Sequence, residues 1–318
     1  MPLEFPPICL GGDPFGWTAD AQESRAVLDA AYDAGIRFLD TSDVYAAWAN
    51  EGVGGQSETI IGDWMAGRGV RDEILLASKV GWLNIPFIGM IRSDTILRQI
   101  DKSLRRLRTD HLDLYYAHRD DGGDLADTIG AFNELIDVGK IRAYGLSNIT
   151  GARVREALAI CEREGLRKPV ALQPMYSLME RGYELELREV AQEAGLAVNA
   201  YSALASGFLT GKYRPGNEQV ESDRGRFARA YLDDPRGLPV LELLDAAAQA
   251  HGVPQASVAI AWLRAQPTVA APISSARAVH HVEPLAQSVG LELTAAELDA
   301  LEAASRPTSA APVAAPAT

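Results

Sequence analysis

The sequence predicts an α/β fold, a (β/α)8 barrel of the TIM type, on three observations. Apolar strand-like segments alternate with amphipathic helical ones eight times between Ile8 and Ser274. The intervening helices are long enough for right-handed crossovers between parallel strands. The strands end, one after another, in side chains that can do chemistry, as expected where rigid strand ends share one mouth at the C-terminal face of a barrel. The doubly wound alternative needs a G-x-G-x-x-G turn after its first strand, and Gly52-Val53-Gly54-Gly55 has neither that spacing nor that position.

Residues 8–12 read as the first strand, running into a tight loop through Gly11, Gly12, Asp13 and Trp17 whose glycines let a flat ligand approach the backbone. The first helix, 20–34, has Val27, Ala30, Ala31 and Ala34 at helical spacing and stops at Gly35. The second strand ends at Asp40, with Tyr45 on the loop beyond. Ser57 and Glu58 open a second helix with a polar cap, and the third strand, 74–79, ends in Lys79. Residues 95–107 form an amphipathic helix through Ile96, Ile100, Leu104 and Leu107, and the fourth strand, 112–118, ends in His118. Helix 126–138, closed by Gly139, leads to strand 141–148 and its Ser147-Asn148 end. Helix 153–164 leads to strand 170–173, which ends in Gln173, and helix 185–194 to strand 196–202, which carries Tyr201. An arginine-rich stretch, 205–237, interrupts the rhythm before helices 238–251 and 255–264 and an eighth strand at 268–274. One domain is expected over 1–306, followed by an Ala/Pro-rich flexible tail, 307–318, without periodicity.

The 318 residues suit a single barrel. A composition 47% hydrophobic and 23% charged is that of an ordinary globular protein. A net charge of -13 disfavours nucleic acid or an anionic membrane as partner, since both need a basic surface. Cys9 and Cys161 are too few for a disulfide framework or a zinc site, so no metal is expected and a reducing cytoplasm fits. The N-terminus lacks the basic and apolar regions of a signal peptide and no apolar run reaches about 18 residues, so a cytoplasmic protein is expected. No heptad pattern specifies an oligomer.

Asp40, Tyr45, Lys79 and His118 complement one another. A phenol is a poor acid near neutrality, and a neighbouring ammonium, Lys79, is expected to pull its pKa down. Asp40 would keep that lysine charged, and His118 beside the phenol would orient a carbonyl oxygen. The set is a device for protonating an oxygen. Trp17, Trp48 and Trp82 on three mouth loops suggest an aromatic-lined substrate pocket. Arg119, Asp120 and Asp121 would bind a hydroxylated substrate or pair among themselves.

The chain resembles the aldo-keto reductase superfamily, on the side of its bacterial members and the potassium-channel β subunits, from about Ile8 to Leu301. The likeness rests on Phe38-Leu39-Asp40-Thr41 with Tyr45, Ser78-Lys79-Val80-Gly81, Asp113-Leu114-Tyr115 with His118, Gly145-Leu146-Ser147-Asn148, Gln173 with Tyr176-Ser177, and Tyr201-Ser202-Ala203-Leu204 leading to Leu209-Thr210-Gly211-Lys212-Tyr213. The resemblance implies a catalytic tetrad of Asp40, Tyr45, Lys79 and His118, with Tyr45 as general acid, reducing an aldehyde, ketone or sugar by hydride from NADPH, with NAD as the alternative cofactor. It implies a nicotinamide stacked on Tyr201, its amide held by Ser147, Asn148 and Gln173. It places Ser202, Leu204, Lys212 and Arg224 near the pyrophosphate, and Ser275, Arg277 and His281 near the adenosine 2′-phosphate.

The chain also departs from the family pattern. Gly11-Gly12-Asp13 stands where relatives carry Gly-Thr, adding a carboxylate at the mouth, and Pro284-Leu285 replaces a Glu-Asn pair at the adenine. His118 favours carbonyl over double-bond reduction, because ene-reductases of the family carry glutamate there. Two other readings compete: a nicotinamide-binding regulatory subunit with little turnover, and a Schiff-base aldolase using Lys79.

Overall fold

The computed structural model describes residues 3–49, 51, 53–82, 91–217, 220, 222 and 225–307. Its first helix shows how locally the elements are specified. Asp20 accepts from the backbone N–H groups of Gln22 and Glu23 at 2.8 and 2.9 Å, and the Glu23 carboxylate accepts from Asp20 N–H at 2.9 Å. This reciprocal capping box starts α1 (Ala21–Asp33). Thereafter strand and helix alternate: β1 (Cys9–Gly11) precedes α1, and β2 (Phe38–Asp40), α2 (Gln56–Arg68), β3 (Leu75–Val80), α3 (Ser93–Leu107) and β4 (Leu112–Ala117) follow it. Then come α4 (Leu125–Asp137), β5 (Ile141–Ser147), α5 (Gly151–Glu164), β6 (Ala171–Gln173), α6 (Leu187–Ala194) and β7 (Ala197–Val198). After α7 (Gly225–Ala230), α8 (Gly237–His251) and α9 (Gln255–Arg264), β8 (Ile273–Ser275) completes the sheet, and α10 (Val282–Gly290) and α11 (Ala295–Ser305) end the chain's described part.

Among the described residues eight parallel strands run in the order β7-β6-β5-β4-β3-β2-β1-β8. The ring closes where Val198 bridges Val269, with Val198 N–H donating to Thr268 O at 2.9 Å and Ala270 N–H returning to Val198 O at 2.9 Å. The chain is a (β/α)8 barrel.

Register positions the site. Asp40 lies opposite Ala77, so Lys79, two residues on, points the same way one step higher. Lys79 lies opposite Tyr116, and His118 is again two residues on; Tyr116 pairs with Gly145, which brings Ser147 level with His118, and Ser147 pairs with Gln173. This climb is the stagger that closing a barrel requires. Below it the interior is filled by Cys9, Phe38, Ala77, Leu114, Tyr116, Ala143 and Ala171, with Phe5 packed 5.8 Å from Phe38 under the floor. The bulky Tyr116 and Phe38 among alanines leave no pore beneath the mouth.

Two expectations are corrected. The second helix has no polar cap: Gly55 precedes α2 at φ 98°, a conformation L side chains avoid. Ser57 instead lies buried and donates to Gly12 O at 2.7 Å, bracing the first loop. The seventh strand shrinks to two residues, because beyond Val198 the backbone bends and only single bonds, such as Asn199 N–H to Leu172 O at 2.9 Å, continue the ladder. The helices α10 and α11, which the reading of the chain did not anticipate, pack on α9 and α8. Of the expected tail, residues 308–318 lie outside the described residues, as does Arg224.

Candidate active site

Lys79, at the end of β3, is 1% exposed and spends all three N–H donors: on Asp40 Oδ2 at 2.6 Å, Thr41 O at 2.7 Å and Tyr45 Oη at 2.9 Å. A buried ammonium is tolerable only with such compensation. Asp40 takes a second bond across the barrel from Gln173 Nε2 at 2.9 Å. Burial raises the Asp40 carboxyl above its ordinary value, with Lys79 and then Gln173 pulling it back.

One electrostatic expectation reverses. Burial holds the Tyr45 phenol well above its ordinary value, and Asp40, then Tyr201, push the same way. The Lys79 charge was expected to lower it, but Asp40 sits closer to that charge than the phenol does and neutralises it. Tyr45 is therefore a protonated phenol at neutral pH. Because Lys79 donates to its oxygen, the phenol's own hydrogen is left to point elsewhere.

His118 is buried, with its ring centroid 6.1 Å from that of Tyr45 and 4.8 Å from that of Trp82. Burial, then Lys79 and Arg119, hold its pKa well below the ordinary histidine value, so the ring is neutral. Its Nδ1 lies 3.1 Å from Ser42 Oγ, and its Nε2 makes no hydrogen bond among the described residues.

Behind this group the ends of β5 and β6 and the start of the loop after β7 interlock. Ser147 Oγ donates to Gln173 O at 2.8 Å, Asn148 Nδ2 donates to His118 O at 2.8 Å and to Ser147 Oγ at 3.1 Å, and Tyr201 Oη donates to Asn148 Oδ1 at 2.7 Å. Asn148 (φ 48°), Ser202 (φ 61°), Ala205 (φ 46°) and Ser206 (φ 56°) adopt left-handed backbone that costs non-glycine residues energy. Such outliers gather at functional sites.

Next to Tyr201 opens a cavity of about 320 Å³ lined in part by Ser202, Leu204, Lys212, Ser275, Arg277 and His281. No carboxylate is among its described lining residues, although the protein is strongly acidic. Burial and Arg277 lower Lys212, while burial, His280, Arg277 and Lys212 together push His281 down to about 4. Lys212 and His281 are thus each lowered in part by positive groups that face them across this wall. Gly11 and Gly12 are not on this wall: a side chain at Gly11 would meet Ser275 Oγ at 2.8 Å, and one at Gly12 would meet Ser57 Oγ at 2.7 Å, so both are small for close packing.

The three tryptophans reach the mouth. Trp17 and Trp48 pack edge to face at 5.4 Å, Trp48 meets Tyr45 at 6.2 Å and is 49% exposed, and the Arg119 guanidinium lies 5.9 Å over Trp82. Asp13 is partly buried on the turn after β1. Asp120 and Asp121 do not pair with Arg119: Asp120 holds Arg153 at 2.9 Å, and Asp121 accepts from Ile91 and Gly123 N–H. Reading the sequence missed Ser42 and Asp43. The latter's carboxyl is pushed up to about 7 by burial and by Glu58. Asp43 and Ser42 stand inside the Asp40-to-Tyr45 loop, yet nothing in the linear pattern showed that the hydroxyl meets a histidine 76 residues away.

The chain as a whole is similar to known proteins. Residues 7–306 match the Aldo/keto reductase family. The chain is 32% identical to Protein tas of Escherichia coli over 327 residues, covering 95% of this chain and 94% of that one. It is 31% identical to the aldo-keto reductase yakc of Schizosaccharomyces pombe, whose name specifies NADP(+), over 86% of this chain and 80% of that one. It is 29% identical to aryl-alcohol dehydrogenase GME11368 of Pestalotiopsis microspora over 93% of this chain and 78% of that one. The chain belongs to the aldo/keto reductase family of oxidoreductases.

Proposed function

We propose that the protein reduces aldehydes or ketones to alcohols with NADPH, and that Tyr45 gives its proton to the carbonyl oxygen. The observation that carries this reading is the triple engagement of Lys79: with Tyr45 Oη accepting from Nζ at 2.9 Å, the phenol hydrogen is presented to the mouth and the phenolate left after transfer is compensated at once. Asp40 fixes the ammonium, and His118 gives a second contact for the same carbonyl oxygen. The nicotinamide, when bound, supplies the hydride.

The residues present fit that cofactor. The basic cavity, with no carboxylate among its described lining residues, suits its phosphates, with Ser202, Leu204 and Lys212 toward the pyrophosphate and Ser275, Arg277 and His281 toward a 2′-phosphate. Tyr201, braced by Asn148, offers a ring face, and Gln173, one of its two N–H groups spent on Asp40, keeps a carbonyl oxygen for a carboxamide N–H. The aromatic rim of Trp17, Trp48 and Trp82 favours an aromatic carbonyl substrate, in keeping with the printed name of the aryl-alcohol dehydrogenase relative. The Schiff-base reading is opposed by the same observation: an amine whose three hydrogens are all donated, one to a carboxylate, is a poor nucleophile.

The test is fluorescence titration with NADPH and NADH, followed by nicotinamide absorbance with a panel of aromatic aldehydes, ketones and sugars. Tight NADPH binding and turnover that Tyr45→Phe abolishes is the expected result. Failure of both cofactors to bind would sink the assignment.

A further inference from the structure

The environment of Ser42 carries a second layer of control, which rests on the reductase reading above. We propose that Asp43, acting through the Ser42 hydroxyl, decides which ring nitrogen of His118 bears the proton, and thereby when His118 can donate to the substrate oxygen.

Ser42 is buried and its oxygen has three neighbours. Val44 N–H donates to it at 3.3 Å, Asp43 Oδ1 lies at 3.4 Å and His118 Nδ1 at 3.1 Å. The hydroxyl owns one hydrogen, so it can donate to the carboxyl or to the imidazole, not to both. The 3.4 Å contact is long for a hydroxyl on a carboxylate, so the hydrogen is not locked there and one proton can tip it.

The two arrangements follow by bookkeeping of hydrogens. With Asp43 ionised, the carboxylate only accepts; Ser42 donates to it and takes Nδ1–H of His118 in return. His118 is held neutral by burial, Lys79 and Arg119, so its single ring hydrogen is then on Nδ1 and Nε2 is bare. With Asp43 protonated, its O–H donates to Ser42, the Ser42 hydrogen turns to Nδ1, and the ring hydrogen moves to Nε2. Only the second form offers a donor to a carbonyl oxygen; the first presents a lone pair to it. No bond beyond these proton positions changes.

The charges that face Asp43 come from every element around it: Lys79 of β3, whose backbone oxygen accepts Asp43 N–H at 3.3 Å, Glu58 of α2, Arg106 of α3, and Tyr115 and His118 on and just beyond β4. Glu58 is itself tied to Arg106 at 2.6 Å and to Ser78 at 2.5 Å, which leaves Arg106 only partly available to Asp43. The carboxyl, pushed up to about 7, titrates in the neutral range, so both hydrogen-bond arrangements are within reach. Asp43 and Ser42 are thus positioning residues, and the switch turns the donor on as pH falls.

Nitrogen-15 correlation spectra of the histidine rings test this on the whole chain without cofactor. With five histidines in the sequence, His118→Gln identifies the signals. From about pH 5.5 to about pH 8.5 the His118 pattern of wild type should convert from hydrogen on Nε2 to hydrogen on Nδ1. Asp43→Asn and Ser42→Ala should each abolish that conversion while the other histidines titrate as before. In turnover with NADPH, kcat of wild type should fall about tenfold across that range and the fall should flatten in Asp43→Asn. One tautomer at every pH in wild type, or an unaltered conversion in both variants, would overturn the proposal. Absence of NADPH turnover at every pH would instead remove the reductase reading, and the ring spectra would still decide the coupling.

Discussion

Lys79 Nζ donates to Tyr45 Oη at 2.9 Å across 34 residues of chain, and this single contact separates two roles that a sequence cannot separate. A lysine that lowered the phenol's pKa would make Tyr45 a poised base. Here burial and Asp40 keep the phenol protonated, so in the proposed reduction the lysine would act on the phenolate left by proton transfer. Tyr45→Phe should therefore lower kcat by about 10²- to 10⁴-fold, the range for loss of a general acid, and leave NADPH affinity within about twofold. Equal loss of affinity would mean that the ring holds the cofactor.

Stability hangs on the lysine's ion pair with Asp40. Lys79 and Asp40 side chains are 1% and 2% exposed, so Lys79→Met leaves a buried carboxylate with only Gln173 as a partner. A cost of about 3–5 kcal/mol is expected, as for breaking other buried pairs. Urea midpoints measured near neutral pH check it, and the doubly neutral Lys79→Met/Asp40→Asn variant should recover part of the loss.

Cofactor choice is predicted to lie with Arg277 and His281. Arg277→Ala should weaken NADPH by about 10- to 100-fold, the worth of a hydrogen bond to a charged group, and NADH far less. His281 sits at about 4 in the free protein, depressed by burial and its cationic neighbours. A phosphate dianion beside it would raise that value, so NADPH binding should take up a proton and the NADPH-to-NADH preference should grow as pH falls. Calorimetry in two buffers of different ionisation heat measures the uptake; none would place the 2′-phosphate elsewhere.

Much of this was legible in the chain and some could not be. The strand ends were, because a carboxylate, lysine or histidine closing an apolar run breaks a pattern visible over a few residues. The barrel was, because helix and strand have different periods. What escaped depends on distance: Gln173 reaches Asp40 from 133 residues away, and Ser42 reaches His118 from 76. The sign of the Tyr45 shift escaped because it is a sum of burial and opposed charges, which residue types alone do not weigh. Gly55 was passed over for Ser57 because a left-handed N-cap has no side-chain signature. The family resemblance supplied the cavity residues, and the close packing of Gly11 and Gly12 against Ser275 and Ser57 is a contact between strands and loops that no residue pattern displays.

Asp43 makes a prediction about stability that needs no substrate. Its folded value of about 7 stands above the unfolded carboxylate value of about 4, so the folded chain binds this proton more tightly. The resulting stabilisation is present at acid pH and is lost as pH rises between those two values, with no further change above. Allowing for the solvent that reaches this partly exposed side chain, about 1–2 kcal/mol is expected. His118, held below its unfolded value, acts in the opposite sense, losing stability as pH falls below about 6.5, and its share is common to wild type and Asp43→Asn. Denaturation midpoints of the two proteins near pH 5 and pH 8 should therefore differ by the Asp43 contribution alone. Parallel pH dependence would place the carboxyl's titration outside this window.

Trp48 tests the substrate class. Its ring stands at the mouth beside Tyr45 and Trp17, yet it is 49% exposed, which is costly for so large an apolar surface unless something covers it during function. An aromatic substrate carbonyl held at Tyr45 would lay its ring there. Covering half an indole is worth on the order of 1 kcal/mol, so Trp48→Ala should raise KM for a benzaldehyde by about 5- to 10-fold with little change in kcat, and barely affect acetaldehyde. Because the side chain is half in water, the melting temperature should hardly move, and this distinguishes a lost contact from a disturbed loop. Equal losses for the aromatic and the two-carbon aldehyde would mean that Trp48 shapes the position of Tyr45, and the aromatic rim would then say nothing about the substrate.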